Sequence, residues 1–272
     1  MVEFYGLFGL VTMIFAEIAL QLKIPPFVSF FCPLIWLGYI LLVDNLIYLL
    51  KGNSLLTRHP KRTIFLFLLS VIFWTIFEIY NFFNPGWQYL NIQTLEKVAG
   101  IIAFSTILPA VFETTELLQS LHLFDEFKKP KVKLINKNFL RLSIGIGAAF
   151  IVLPFFFRGW WVWIMVWTNF FLFFDPLNYL NGQPSIFRDI KNGNWKTPLS
   201  LAFAGIVCGF LWEWWNWGAV ARWRYLLSDV PLKDIKIFEM PILGYFGYVP
   251  FAWELYAMYN FVKFLFLKKA KK

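Results

Sequence analysis

Four glutamates fall where a glutamate is costly. Glu78 and Glu213 each sit inside an apolar run, and each is followed three residues later by an asparagine, Asn81 or Asn216. That spacing puts carboxyl and amide on one helix face, where the two can share hydrogen bonds in a dry site. Glu113 and Glu254 also lie within apolar runs, each four residues after a proline, Pro109 or Pro250. A proline inside a helix removes a donor and frees a carbonyl one turn earlier, so a kink with a local polar pocket is expected. A charged side chain at the centre of a helix in lipid costs at least ~2.5–3.5 kcal/mol on insertion scales, so such groups face protein and are paired or protonated. A carboxylic acid that keeps its proton in a dry site can donate it to a substrate. Glu213, Glu254, Glu78 and Glu113 are therefore the candidate catalytic residues.

Aromatic rings crowd these acids. Trp212, Trp214, Trp215 and Trp217 flank Glu213 and Asn216; Phe73, Trp74, Phe77 and Tyr80 flank Glu78; Trp253, Tyr256 and Tyr259 surround Glu254. Ring faces beside a carboxylate stabilise a cation, either a transported ammonium or a carbocation on a polyene. Asn216, Asn81, Trp212, Trp215 and Trp253 are the candidate substrate-binding residues, with Asp175 and Asp44 near the ends of two further runs. The competing reading makes the glutamates helix-to-helix glue and the rings packing, and pairs the two aspartates with Arg58 and Arg188. Glu96 and Glu239 precede apolar runs and suit a capping role, while Glu17 and Glu116 have local roles. Trp87, Tyr89, Trp160, Trp161, Trp223 and Tyr225 fit an interfacial aromatic belt.

The elements that must hold these residues are membrane spans. Of 272 residues, 59% are hydrophobic, 22% aromatic and only 15% charged, with a mean hydropathy of +0.61. Soluble domains carry about 25% charged residues, so this composition excludes a disordered chain, a coiled coil, a disulfide-stapled domain and a water-soluble enzyme. Runs long enough for a helical span of ~20 residues cover roughly 3–22, 27–50, 63–84, 98–121, 140–157, 160–180, 198–220 and 240–266. Glu3 before the first run and the lack of a basic leader favour a retained helix over a cleaved signal. Two cysteines, Cys32 and Cys208, and two histidines, His59 and His122, are too few for a metal cluster, so no metal or cofactor is implied.

The net charge of +9 has a spatial pattern. Connectors 51–62, 122–141 and 181–196 and the C-terminal tail hold 17 of the 25 basic residues. These are alternate connectors, so the positive-inside bias predicts that both termini are cytoplasmic. Charge dispersed over short loops is not a nucleic-acid surface. The expected partners are the bilayer and a lipid-soluble small molecule; the oligomeric state is left open.

The two halves answer each other. Trp36, Asp44, Tyr48 and Ser54 recur as Trp167, Asp175, Tyr179 and Ser185 at an offset of 131. Phe77-Glu78-Ile79-Tyr80-Asn81 answers Trp212-Glu213-Trp214-Trp215-Asn216 at 135, and Trp87-Gln88-Tyr89 answers Trp223-Arg224-Tyr225 at 136. Pro109 and Glu113 answer Pro250 and Glu254 at 141. An offset that grows in small steps is the mark of a duplication with short loop insertions. An even number of spans per half gives parallel repeats about an axis along the membrane normal. The expectation is an all-α polytopic bundle of about eight spans: a first four-helix repeat over 1–122, a basic linker over 123–139 and a second repeat over 140–272.

With its aspartate, its Gly-x-Ser-like connector and its Phe-Glu-x-x-Asn and Trp-Glu-Trp-Trp-Asn segments, the chain resembles an uncharacterised family of bacterial polytopic inner-membrane proteins. By its duplicated helices and its intramembrane glutamates after prolines, it is more faintly similar to the membrane-embedded lycopene cyclases. It departs from them in having four spans per half rather than three, and a single glutamate after each proline rather than a close pair, so that likeness implies a chemical analogy only. Three functions remain: an enzyme acting on a lipid or isoprenoid by carboxylic-acid catalysis, a proton-coupled transporter of a small or cationic solute, and a non-catalytic scaffold. A carrier would need an unwound helix, for which Gly244 and Gly247 are the best candidates.

Overall fold

The computed structural model describes residues 4–127, 129–226 and 229–269. Glu3, Lys128, Lys271 and Lys272, together with the side chains of 267–269, lie outside that description. The chain is an all-helical bundle with little sheet. Helices α1 (Phe4–Gln21), α2 (Phe31–Lys51), α4 (Pro60–Phe83), α5 (Thr94–Ser120), α6 (Lys137–Val152, continuing as a tight turn through Phe155) and α10 (Lys196–Gly218) are long and apolar enough to cross a membrane. They make the chain a multi-pass membrane protein. Two short helices, α3 (Leu55–Arg58) and α9 (Ile186–Lys191), lie in the connectors after α2 and α8.

Two expected runs take a different form. The run 160–180 is not one helix: α7 (Val162–Val166) and α8 (Asn169–Leu180) are separated by a turn at Trp167 and Thr168. The run 240–266 begins with a short strand and a 3-10 stretch, Ile242–Gly247, and only then becomes α11 (Tyr248–Lys269). Pro250 therefore falls in the first turn of α11, where its missing N–H would have had no intrahelical partner. It does not kink a span, contrary to the expectation that paired it with Pro109. Pro109 does lie inside α5. One residue before it the hydroxyl of Ser70 on α4 enters the ladder, donating to Phe104 O at 2.6 Å and accepting from Leu108 N at 3.0 Å. An inserted side chain of this kind is a recognised cause of helix bending.

The burial pattern is inverted relative to a soluble protein. Phe8, Leu68, Ile72, Ile101, Leu142 and Phe203 are exposed, whereas Asp44, Asn169, Asp175, Asn178, Glu213 and Glu254 are fully buried. Continuous apolar surface on this scale needs lipid around it. Without a hydrophobic force between helices in lipid, small residues let backbones meet. Gly9 of α1 and Gly38 of α2 show this, since a Cβ on either would lie under 3 Å from the other's carbonyl oxygen.

The basic connectors gather at one end. Lys51 at the end of α2 pairs with Glu116 near the end of α5, Arg62 Nε donates to Tyr259 Oη of α11 at 2.6 Å, and Lys196 pairs with Asp125. Backbone bonds from Lys129 and Val132 to Gly193 and Lys191 add the linker to this end. At the opposite end β1 (Trp87–Leu90) pairs antiparallel with β2 (Arg222–Tyr225), with Gln88 facing Arg224. A second small ribbon there joins β3 (Lys236–Ile237) to β4 (Met240–Pro241). The two halves share one aromatic-rich core.

Candidate functional site

A cavity of about 530 Å³ opens at the end that carries the β1–β2 ribbon. Nine of the fourteen tryptophans line it, which makes it a chamber of indole faces. On one side Trp36 meets Trp212 and Trp215 at centroid distances of 5.2 and 4.8 Å. On the other, Trp74, Trp87, Trp163 and Trp167 form a continuous run of ring contacts, with Trp87 and Trp163 at 4.9 Å. The indole N–H groups of Trp87 and Trp163 are buried without an acceptor among the described residues. The volume lies within the usual range for small-molecule pockets.

Two glutamates lie behind the wall, each reached through phenols. Tyr225 of β2 and Tyr248 at the start of α11 both line the cavity, and both donate to Glu213 Oε1, at 2.6 and 2.7 Å. Among the described residues, Glu213 Oε2 has no hydrogen-bond partner. In the first half Tyr89 of β1 and Trp74 of α4 line the cavity and donate to Glu78 Oε1, at 2.5 and 2.8 Å. Burial, and then the neighbouring carboxyl, push the phenols of Tyr89 and Tyr225 well above the usual tyrosine range. Both therefore keep their protons at neutral pH and serve as donors.

Tyr248 reaches Glu213 because α10 and α11 meet backbone to backbone. Gly205 and Gly209, four residues apart on α10, present no side chain to it. A Cβ on Gly205 would lie 2.3 Å from Tyr248 O, and one on Gly209 would lie 2.2 Å from Tyr248 Cδ2.

Both asparagines hold strands, and only Asn81 also lies within hydrogen-bonding reach of its glutamate, Glu78. Asn216 does not pair with Glu213; it holds β2, accepting from Trp223 N at 2.8 Å and donating to Trp223 O at 2.9 Å. Asn81 holds β1 in the same manner, accepting from Gly86 N and Trp87 N and donating to Trp87 O. Each amide fastens the strand that carries the phenol bonded to its neighbouring glutamate.

Of the other sequence-derived site residues, Trp212, Trp215 and Asn216 line the cavity. Trp214 and Trp217 are 50% and 56% exposed and turn toward lipid, as 3.6-residue periodicity requires. Trp253 lies away from the cavity, donating to Pro198 O at 2.9 Å and stacking near Phe171. Asp175 and Asp44 belong to the basic end and pair with neither arginine. Asp175 accepts from Ser185 Oγ and the amides of Ile186 and Phe187, fixing the first turn of α9. Asp44 accepts from Leu56 N and Tyr5 Oη, fixing α3 and α1. Arg188 instead donates to the carbonyls of Gln183 and Tyr179. Glu96 caps α5 as expected, accepting from Gln93 N at 3.1 Å and from Ser29 Oγ at 2.6 Å.

Glu113 and Glu254 are buried, and among the described residues none of their four carboxyl oxygens has a hydrogen-bond partner. Glu113 lies beside Asp44 across the α2–α5 contact. Glu254 lies by the Phe170 amide in the first turn of α8, next to the Trp167–Thr168 break and near Tyr80. Neither acid lines the cavity.

The candidate residues that the sequence reading missed are the cavity-lining phenols. Trp87-Gln88-Tyr89 and Trp223-Arg224-Tyr225 are legible as a repeated motif yet resemble an interfacial belt. Their recurrence 11 and 12 residues after a glutamate inside an apolar run is the available signal. The Gly205-x-x-x-Gly209 spacing was the signal for a close helix approach. No known protein family, curated protein or solved structure matches the chain.

Proposed function

We propose that this chain is an integral membrane enzyme that protonates a lipid or isoprenoid substrate held among the indoles of the cavity. One observation carries the reading. Two carboxyls, the buried Glu213 and the half-buried Glu78, one from each half, lie behind a single apolar chamber, and each reaches it through a phenol. With Glu213 protonated, its bond to Tyr248 reverses: the acid donates to the phenol oxygen, and the hydroxyl turns its own proton toward the substrate. The indole faces then stabilise the positive charge that develops. Asn216 and Asn81 are positioning residues, holding the strands that carry Tyr225 and Tyr89. The chemistry parallels the acid-driven reaction implied by the faint likeness to lycopene cyclases.

The reading includes an eight-pass chain built from two parallel four-helix repeats, with α7–α8 and α11 as the two further crossings. Three features support it: the matched asparagine clamps, the matched aspartates that fix α3 and α9, and the ribbon. Gln88 and Arg224, related by the sequence offset of 136, face each other in that ribbon, as a two-fold axis between the halves would require.

The test compares lipid extracts, by mass spectrometry, from membranes containing the wild type, Glu213→Gln and Tyr248→Phe. Loss of a positioned general acid costs about 10²–10⁴ in rate, so the variants should accumulate a substrate that the wild type converts. Identical extracts from all three, and from membranes lacking the protein, would overturn the assignment.

A second reading, a proton-coupled carrier, has its own observation. The helix break at Trp167–Thr168 beside the unpartnered Glu254 resembles the discontinuous helices of carriers. Vesicle-reconstituted protein showing pH-dependent uptake of a cation, lost in Glu254→Gln, would favour it over the enzyme.

A further inference from the structure

The basic end holds a second cavity, of about 600 Å³, and its chemistry is the reverse of the first. Lys51, Arg62, Lys196 and Lys263 supply cations, and Gln119, Ser120, Asn260 and Tyr259 supply neutral polar groups. Lys51 and Lys196 are balanced by Glu116 and Asp125. Arg62 and Lys263 are not balanced: among the described residues, no carboxylate lies within ion-pair distance of either. They are electrostatic neighbours of each other. Arg62 is also held in place, by its bond to Tyr259 Oη and by the ring of that tyrosine 5.4 Å beneath its guanidinium. Lys263 lies within the run 240–266, on α11, and belongs to none of the basic connectors or the tail. Two adjacent cations facing one cavity without a counter-charge repel each other unless an anion joins them.

We propose that this cavity binds a phosphate group, gripped by Arg62 and Lys263. Guanidinium and ammonium together favour phosphate, the first for its forked donors and the second as a point charge. The cavity lies at the end where α2, α5 and α11 finish and α4 and α10 begin, the level at which a lipid headgroup meets water. A lipid phosphodiester and a free diphosphate present the same chemistry to this site, and the two sources are separated by experiment. The site is independent of the indole-lined cavity and of any reaction there.

The test uses the full chain in nanodiscs. In the first arm, binding of inorganic pyrophosphate is titrated in discs of neutral phosphatidylcholine. In the second, native mass spectrometry counts phosphatidylglycerol retained from discs that mix it with phosphatidylcholine. Arg62→Gln, Lys263→Gln and the control Lys97→Gln, which lines neither cavity, are compared with wild type. A signal in either arm that falls about tenfold in each single variant, as loss of one charge-assisted contact implies, and survives in Lys97→Gln, supports the site. Pyrophosphate binding identifies a soluble source, and retention of phosphatidylglycerol alone identifies a lipid headgroup. Arg62→Lys keeps the charge and should restore most of the binding, which separates the site from a folding defect. Absence of signal in both arms, or a signal indifferent to Arg62 and Lys263, would overturn the proposal.

Discussion

At the scale of single residues, Glu213 and Asn216 divide two tasks along one helix face. The carboxyl gathers two phenols on one oxygen, while the amide holds the strand that brings one of those phenols into place. Asn216→Leu removes two hydrogen bonds and leaves the amide and carbonyl of Trp223 without their partner. Each unmet buried backbone group costs ~1–3 kcal/mol, so the variant should lose ~2–6 kcal/mol of stability, read as a lower melting temperature in detergent. A neutral Asn216→Leu would show that β2 is held by other contacts. The i, i+3 spacing rightly places the two side chains on one face, yet it implies a mutual hydrogen bond that does not form. The amide's real partner lies seven residues downstream, in a strand that the sequence disguises as an interfacial belt. Short-range spacing reveals which side chains share a face; it is silent on what the chain does after the helix ends.

At the scale of elements, Gly205 and Gly209 decide whether Tyr248 meets Glu213. A methyl on Gly209 would press on the tyrosine ring at 2.2 Å, so Gly209→Ala should move the ring and break its bond to Glu213. Overpacking of this kind costs ~1–3 kcal/mol, but the sharper readout is product formation in membranes. Gly209→Ala should reduce it toward the level of Tyr248→Phe, and adding Gly209→Ala to Tyr248→Phe should reduce it no further. Additive losses would mean that Gly209 acts elsewhere. The linker carries a pH-dependent contact: Lys196, and then the His122 ring, hold the Asp125 carboxyl below its usual range. A depressed acid stabilises above its unfolded value, near 3.9, and loses that contribution as pH falls through the folded value. Protease protection of segment 121–136 should therefore differ between wild type and Asp125→Asn at pH 7 and converge near pH 3; a difference that persists in acid would assign the contact to something other than charge. Six of the long helices are legible because apolar length is a strong signal. The break at Trp167–Thr168 is not, because both flanks are apolar and tertiary contacts decide the backbone between them.

At the scale of the whole molecule, charge and cavities divide along the same axis. The indole-lined cavity belongs to the end with the ribbon, and the cationic cavity to the end where basic connectors meet. We propose from the positive-inside bias, with 17 of 25 basic residues in those connectors and the tail, that the cationic end faces the cytoplasm. On that proposal the indole-lined cavity opens in the outer leaflet, and the substrate of the proposed reaction would enter from there. A background lacking Cys32 and Cys208 allows single cysteines to report each end. Asn192→Cys and Asn53→Cys mark the basic end, and Asn91→Cys and Asp234→Cys mark the other. In intact cells a membrane-impermeant maleimide should label positions 91 and 234 and spare 192 and 53 until the cells are broken. The reverse pattern would invert the chain and move substrate entry to the inner leaflet. Labelling that differs within one end would break the pairing of alternate connectors and, with it, the eight-crossing reading. The positions within each end are joined to the bundle through different helices, so agreement between 53 and 192 tests α7–α8 as a crossing, which apolar length alone does not establish.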